Sequence, residues 1–140
     1  MNEHTIYLGG GCFWGLQGYI KKIEGVLSTE VGYANGPTEN PSYEDVCHNS
    51  GHVEALKVTY DADTLSLDHL IQYFLRAIDP FSVNKQGGDV GIQYRTGIYY
   101  TDTADKSIIE STLARAQTFE GKPFAIEVLP LENYYSAEEY

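Results

Sequence analysis

The N-terminal segment predicts a strand, a glycine turn and a helix, and this junction decides the fold. Residues 5–15 read TIYLGGGCFWG, in which the apolar run Thr5–Leu8 leads into three glycines. Gly25 is a typical helix end. Between the turn and Gly25, an apolar stripe recurs at helical spacing, formed by Phe13, Leu16, Ile20 and Ile23. The pattern therefore predicts a helix that starts at Cys12, directly after the turn.

The rest of the chain alternates strand and helix patterns. Helices are predicted between Ser66 and Pro80 and over Ala104–Phe119, the latter with Gly121 as its cap. Residues 35–52 and 81–93 are predicted loops, and no regular element is predicted for 132–140. Strands are predicted over Val26–Ala34, Val53–Tyr60, Thr96–Thr101 and Phe124–Leu129.

This order, β-α-β-β-α-β-α-β, predicts a two-layer α/β sandwich with a ferredoxin-like core and a mixed sheet. At 140 residues with 42% apolar side chains, the chain fits one domain spanning residues 1–140.

The charge pattern disfavours nucleic-acid and membrane partners. Nine Lys and Arg face 20 Asp and Glu, giving a formal net charge of −11, which repels a phosphate backbone. No apolar run is long enough to span a bilayer, and the first residues lack the pattern of a secretory signal. Two cysteines make no disulfide framework, so a cytoplasmic protein with reduced thiols is expected.

Cys12 is the first candidate for chemistry. Backbone N–H groups converge where a helix begins and stabilise negative charge, which favours the nucleophilic thiolate there. The alternative is a buried structural cysteine in a glycine turn. The segment lacks the Gly-Lys-Ser/Thr of a phosphate-binding loop, the third glycine of a dinucleotide fingerprint and a Cys-x-x-Cys pair.

Glu54 is the second candidate, because strand parity places its carboxyl on the face of Leu56, Val58 and Tyr60. Loss of water there favours the protonated carboxyl, which is the form a general acid needs. Alternatively, Glu54 lies at a frayed strand end and reaches water.

Other side chains could complete a site around Cys12. Trp14 lies off the apolar stripe and is expected to wall a pocket, whereas Phe13 fits pocket and core equally well. Three loop residues offer polar groups, namely Tyr43, Asp89 and Tyr94. A metal site is not expected, because Cys47, His48 and His52 lack a second ligand pair.

These residues resemble the A-type peptide-methionine sulfoxide reductases. Gly11-Cys12-Phe13-Trp14-Gly15 is similar to the catalytic signature of that family. Further similar segments follow in the family's order: Gly32-Tyr33-Ala34, Pro41-Ser42-Tyr43, Val46-Cys47, Gly51-His52-Val53-Glu54-Ala55, Asp79-Pro80, Asn84-Lys85-Gln86-Gly87, Asp89-Val90-Gly91 and Gln93-Tyr94-Arg95.

The resemblance implies thiol-dependent reduction of methionine (S)-sulfoxide, free or in proteins, as a repair of oxidative damage. Cys12 would attack the sulfoxide sulfur and become a sulfenic acid, while Glu54 would protonate the oxygen. Neither a metal nor another cofactor is implied, since thioredoxin, glutaredoxin or a small dithiol would restore Cys12. The remaining implied roles are hydrogen bonds to the sulfoxide oxygen from Tyr43 and Tyr94, binding of the S-methyl group by Phe13 and Trp14, and substrate-backbone recognition or support of the site by Asp89.

Two departures from the family pattern bear on the charge near Cys12 and on how Cys12 is regenerated. Gln17 stands where the family commonly has Glu, and many relatives carry recycling cysteines in a tail beyond the position of Tyr140. The other thiol of this sequence is Cys47, but in relatives a cysteine at this position is usually not the resolving thiol. Direct regeneration by an external thiol is therefore favoured over a Cys12–Cys47 disulfide. A non-catalytic module that binds methionine sulfoxide is the alternative function.

Overall fold

The computed structural model of the chain describes residues 2–36 and 51–137. Tyr43, Cys47 and His48 lie outside these ranges. The helices are α1 (Phe13–Ile20), α2 (Leu67–Ala77) and α3 (Thr103–Glu120), with a 3-10 turn at Ile92–Tyr94. The strands are β1 (Glu3–Gly9), β2 (Val26–Ala34), β3 (Val53–Asp61), β4 (Lys85–Gln86), β5 (Asp89–Val90), β6 (Gly97–Tyr100), β7 (Glu127–Pro130) and β8 (Tyr134–Ser136).

Six strands form one sheet in the order β7-β6-β1-β3-β2-β8. Neighbouring strands are antiparallel except for β6 and β7, which are parallel. The central order β6-β1-β3-β2, with α1 after β1 and α2 after β3, is a ferredoxin-like core. The predicted fold class, an α/β sandwich with a mixed sheet, is therefore confirmed.

The three helices within the described residues pack against the same face of the sheet. Their buried side chains, among them Phe13, Leu70 and Ile109, join Leu8 and Leu56 of the central strands in one apolar core. A smaller cluster, which includes Tyr7, Val53 and Tyr99, covers the opposite face. The first half of β3 is consequently buried on both sides, and a polar side chain in that segment is removed from bulk water.

Local contacts explain where α2 and α3 begin and where α3 ends. The Ser66 hydroxyl accepts from the His69 N–H at 3.1 Å, and the Asp102 carboxylate accepts from the Ala104 N–H at 2.9 Å. Gly121 ends α3 in the left-handed conformation, with φ of 76°. The Ser66 and Gly121 caps agree with the sequence prediction.

Two predicted boundaries were wrong. Helix α1 ends at Ile20, and Gly25 instead turns the chain into β2 with φ of 100°. Strand β7 starts at Glu127 rather than Phe124. The Phe124 N–H donates to the Gln117 side chain in α3, and the Ala125 N–H donates to the Pro80 carbonyl. These two N–H groups therefore bond outside the sheet, and the strand begins after them.

Two short elements appear where the sequence predicted none. Strands β4 and β5 form a hairpin inside the predicted loop 81–93. In the C-terminal stretch, β8 pairs with the edge of β2. Both depend on a partner strand, which local propensity does not report. No helix in the described ranges has the length and apolarity needed to span a membrane.

Candidate active site

Cys12 occupies the N-cap of α1, as predicted. Its backbone is extended, its carbonyl accepts the first helical hydrogen bond from the Leu16 N–H at 3.2 Å, and its side chain makes no capping bond. The side chain is partly exposed and belongs to no disulfide. Cys12 therefore combines a helix N-terminus with access from outside, unlike a cysteine sealed in the core.

The turn before Cys12 needs glycine for close approach. Gly11 has φ of +77°, and a Cβ there would lie 2.7 Å from the Cβ of Gln86. A Cβ on Gly10 would lie 2.6 Å from Cγ2 of Ile78. The backbone in front of Cys12 is thus pressed against the end of α2 and the β4–β5 hairpin.

Gln86 holds that hairpin in place and received no role from the sequence. Its side chain accepts from the Asp79 N–H at 2.7 Å and donates to the Asp79 carbonyl at 2.7 Å and to the Thr96 hydroxyl at 3.0 Å. The only sequence signal for Gln86 was its place in one of the family-like segments.

Glu54 projects from β3 toward the start of α1. It is 2% exposed, and its Oε1 accepts a 3.2 Å hydrogen bond from the N–H of Phe13, the residue after Cys12. The carboxyl is buried, so the frayed-strand alternative is wrong. A candidate acid and a candidate nucleophile therefore meet at one helix N-terminus.

The two aromatic residues after Cys12 diverge, as expected for adjacent helix positions. Phe13 is buried, with its ring centroid 5.6 Å from that of Tyr33. Trp14 is 54% exposed and meets Phe13 edge-on at 5.5 Å. Phe13 is thus a member of the core that also lies beside Cys12, and Trp14 presents an aromatic surface to solvent. Gln17 faces β2, where it donates to the Thr29 hydroxyl at 3.2 Å.

Tyr94 is tied to the glycine turn through the backbone, because its carbonyl accepts from the Gly11 N–H at 3.3 Å. The Tyr94 side chain is half-buried. This bond places the 3-10 turn next to the residue that precedes Cys12, so the backbone of Tyr94 lies close to the helix start that carries Cys12, Phe13 and Trp14 and that Glu54 contacts.

Arg95 joins the segments that carry these residues, and sequence reasoning assigned it no role. Its guanidinium donates to the carbonyls of Ile92 at 2.7 Å and Gly51 at 3.0 Å, and it pairs with Glu127 at 3.2 Å. Burial raises the pKa of Tyr99, which keeps its hydroxyl protonated as a 2.8 Å donor to the same Glu127 carboxylate. Arg95 therefore links the Tyr94 turn to the entrance of β3.

The remaining candidates are only partly described. Asp89 lies in β5, but its side chain is not described, and Tyr43, Cys47 and His48 fall in residues 37–50. His52 is fully buried, with its ring centroid 6.1 Å from that of Tyr135. Within residues 2–36 and 51–137, no three Cys, His, Asp or Glu side chains are arranged to hold a metal ion.

A cavity of about 370 Å³ adjoins Cys12 on the side facing α2. Its lining includes Gly11, Gly15, Tyr19, Arg76 and Gln86. This space is large enough for a small organic molecule.

Comparisons with known proteins agree on one family. Residues 4–140 match the family model described as peptide methionine sulfoxide reductase. The chain is 56% identical to peptide methionine sulfoxide reductase MsrA of Lachnoclostridium phytofermentans, over 100% of this chain and 84% of that protein. Its fold is similar to that of reduced Mxr1 from Saccharomyces cerevisiae, with a TM-score of 0.92, 34% identity and coverage of 99% and 82% of the two chains. Mxr1 in complex with Trx2 is similar at a TM-score of 0.74 and 26% identity, with coverage of 99% and 83%.

Proposed function

The chain belongs to the peptide methionine sulfoxide reductase family, and we propose that it reduces the S epimer of methionine sulfoxide with Cys12 as the nucleophile. The observation that carries this assignment is the 3.2 Å hydrogen bond that sets Glu54 beside the Cys12–Phe13 peptide. The substrate is methionine sulfoxide, free or within proteins, and the biological outcome is repair of oxidised methionine.

In the first step, the Cys12 thiolate attacks the sulfoxide sulfur while Glu54 donates a proton to the sulfoxide oxygen. The attack forms a transient S–S bond. Transfer of the protonated oxygen to the Cys12 sulfur then breaks that bond and the sulfoxide S–O bond, leaving methionine and Cys12 sulfenic acid. Because Oε1 of Glu54 already accepts from the Phe13 N–H, we assign proton donation to Oε2.

Aromatic and hydroxyl groups surround this chemistry. Trp14, exposed beside Cys12, offers a face for the S-methyl group, and Phe13 forms the inner wall. The Tyr94 hydroxyl is assigned to the sulfoxide oxygen, together with that of Tyr43. Asp89 is assigned to the substrate backbone or to support of the site.

An external thiol then regenerates Cys12. Thioredoxin is a suitable reductant, since Mxr1 has been solved in complex with Trx2. Glutaredoxin or a small dithiol could carry out the same exchange. Reaction of Cys47 with the sulfenic acid is the alternative first step.

We also propose that the chain forms one catalytic domain and acts in the cytoplasm. One apolar core unites the three helices with the central strands, which supports a single catalytic domain over residues 1–140. A thiol that must be reduced in every cycle suits a reducing compartment, and we therefore assign the protein to the cytoplasm.

A burst experiment without reductant tests the proposed function. The enzyme is mixed with separated R and S epimers of methionine sulfoxide, and free methionine is quantified. About one methionine per chain is expected from the S epimer alone, and none from Cys12→Ser. Binding without methionine release would favour a non-catalytic module, and preference for the R epimer would contradict the assignment.

A further inference from the structure

The cavity beside Cys12 is not lined by those residues assigned to substrate whose side chains the structure describes. Cys12, Gly11, Gly15, Tyr19, Arg76 and Gln86 belong to its lining, whereas Phe13, Trp14, Glu54 and Tyr94 do not. Cys12 therefore borders a second space, on the α2 side of the helix start. A reagent in that space could reach Cys12 without crossing the aromatic wall of the proposed substrate site.

The cavity is accessible from outside at Gly15. A Cβ at Gly15 would meet no heavy atom within 4 Å, in contrast to Gly11, where a Cβ would lie 2.7 Å from Gln86. The cavity is therefore closed where Gly11 packs against Gln86 and open where Gly15 faces it. An approaching molecule would contact bare helix backbone next to Cys12.

Arg76 gives the cavity its charge. It stands in the last turn of α2, is exposed and lies over the ring of Tyr73 at 5.5 Å. Within the described residues Arg76 forms no ion pair, although Glu24 borders an adjoining recess that Arg76 also lines. None of the lining residues within the described ranges carries a carboxylate. In a chain of net charge −11, this is a local positive site beside the proposed nucleophile.

Screening makes such a local cation decisive. At physiological ionic strength, exposed charges farther apart than about 8 Å are largely screened, so the distant acidic surface acts weakly on a bound molecule. A carboxylate near a guanidinium gains charge-assisted hydrogen bonds that a neutral group does not. The cavity therefore favours small anions over neutral molecules of the same size.

We propose that this cavity is the subsite for a carboxylate-bearing thiol that reduces the Cys12 sulfenic acid, with Arg76 holding its carboxylate. The inference rests on the proposed function, because it requires that sulfenic acid to form. Substrate and reductant then approach Cys12 from different sides of α1.

The chemistry balances with thiol as the only reductant. The thiol sulfur attacks the sulfur of Cys12–SOH, forming a mixed disulfide and releasing the oxygen as water with the proton of the thiol. A second thiol attacks the mixed disulfide, releasing Cys12 as a thiol and the small molecule as a disulfide. Two thiols are oxidised for each sulfenic acid reduced.

Two thiols that differ in charge test the subsite, namely 3-mercaptopropionate and 2-mercaptoethanol. In Cys47→Ser, one equivalent of methionine sulfoxide generates the Cys12 sulfenic acid, which is quantified by dimedone labelling. Mixed-disulfide formation with each thiol is then followed by quenched-flow mass spectrometry. Comparing the same thiol across variants removes differences in thiol acidity.

The Arg76→Gln variant should slow the reaction with 3-mercaptopropionate by roughly threefold to fivefold and leave that with 2-mercaptoethanol unchanged, and Arg76→Lys should retain most of the selectivity. Lys106→Gln, which removes the same charge from the exposed surface of α3, should change neither rate.

Equal slowing of both thiols, no change with either, or the same selectivity loss in Lys106→Gln would overturn the subsite. If the Cys47→Ser parent forms no methionine, the proposed function itself fails, so the two failures are distinguishable.

Discussion

The backbone N–H of Phe13 donates a 3.2 Å hydrogen bond to Oε1 of Glu54, 41 residues away in the chain. This bond satisfies one of the N–H groups that a helix leaves unpaired in its first turn. Helices commonly use the N-cap side chain for this purpose, but Cys12 makes no such bond. The buried carboxyl thus takes over a capping function, and the sulfur of Cys12 is left available for reaction.

Replacing Glu54 with Gln separates this structural contact from proton donation. The amide oxygen of Gln can still accept from the Phe13 N–H, but the amide cannot supply the acidic proton. We expect single-turnover methionine formation to slow by about 10²- to 10⁴-fold, with substrate affinity and thermal stability close to wild type. Rapid-quench kinetics and calorimetric unfolding measure the three quantities.

Glu54→Ala serves as the comparison, because it removes both functions. It should be as slow as Glu54→Gln and also less stable, by about 1–3 kcal/mol, since a buried N–H loses its partner. A Glu54→Gln enzyme that forms methionine at the wild-type rate would remove Glu54 from the mechanism.

Thiol titration after one turnover identifies what reacts with the Cys12 sulfenic acid. With direct regeneration by an external thiol, one thiol per chain should be lost when methionine sulfoxide is added without reductant, in wild type and in Cys47→Ser alike. Loss of two thiols in wild type, falling to one in Cys47→Ser, would instead establish a Cys12–Cys47 disulfide.

Local sequence signals were sufficient for the ferredoxin-like core and for the proximity of Cys12 and Glu54. Glycines before Cys12 and the parity of β3 placed the helix start and the Glu54 carboxyl, because both depend on near neighbours in the chain. Strand β8 and the Arg95 contacts escaped prediction, since each requires partners far along the chain. The carbonyl of Gly51, which lies 44 residues from Arg95, leaves no periodic pattern in the sequence.

Arg95 is expected to act as a positioning residue. Arg95→Met keeps much of the aliphatic stem but removes the donors to Ile92, Gly51 and Glu127. We expect the single-turnover rate constant to fall about tenfold through displacement of Tyr94 and the start of β3. Arg115→Met, which removes a mainly exposed cation from α3, is the matched control and should leave that rate constant unchanged. A loss confined to stability would contradict a positioning role.

Asp68 predicts a pH dependence of stability. The hydrogen bond from the Thr112 hydroxyl, followed by the charge of Arg115, lowers the pKa of Asp68 below its usual value of 3.8. A lowered pKa means that the folded state binds protons less readily than the unfolded chain. The stability contributed by the Asp68 charge is therefore fully present above pH 3.8 and is lost as the pH falls through the lowered pKa.

Urea unfolding of wild type and Asp68→Asn measures this contribution. At neutral pH the variant should be less stable by about 1 kcal/mol, and the difference should shrink below pH 3.8. Burial raises the pKa of Asp105, which acts in the opposite direction, but this effect is common to both proteins and cancels in the difference. A gap that stays constant down to low pH would show that the Asp68 charge does not contribute.

Gly11→Ala should be far more damaging than Gly121→Ala, although the two glycines have nearly the same positive φ, +77° and +76°. Alanine in this region costs about 1 kcal/mol for conformation alone. At Gly121 a Cβ meets nothing within 4 Å, so that cost should be the whole effect. At Gly11 the Cβ lies 2.7 Å from Cβ of Gln86, which three hydrogen bonds hold in place, and either the turn or the hairpin must move. We therefore expect an additional loss of roughly 1–3 kcal/mol in the free energy of unfolding.

Because the displaced turn also carries Cys12, the single-turnover rate should fall in Gly11→Ala and stay unchanged in Gly121→Ala. Equal losses of stability would mean that the turn before Cys12 has room to adjust.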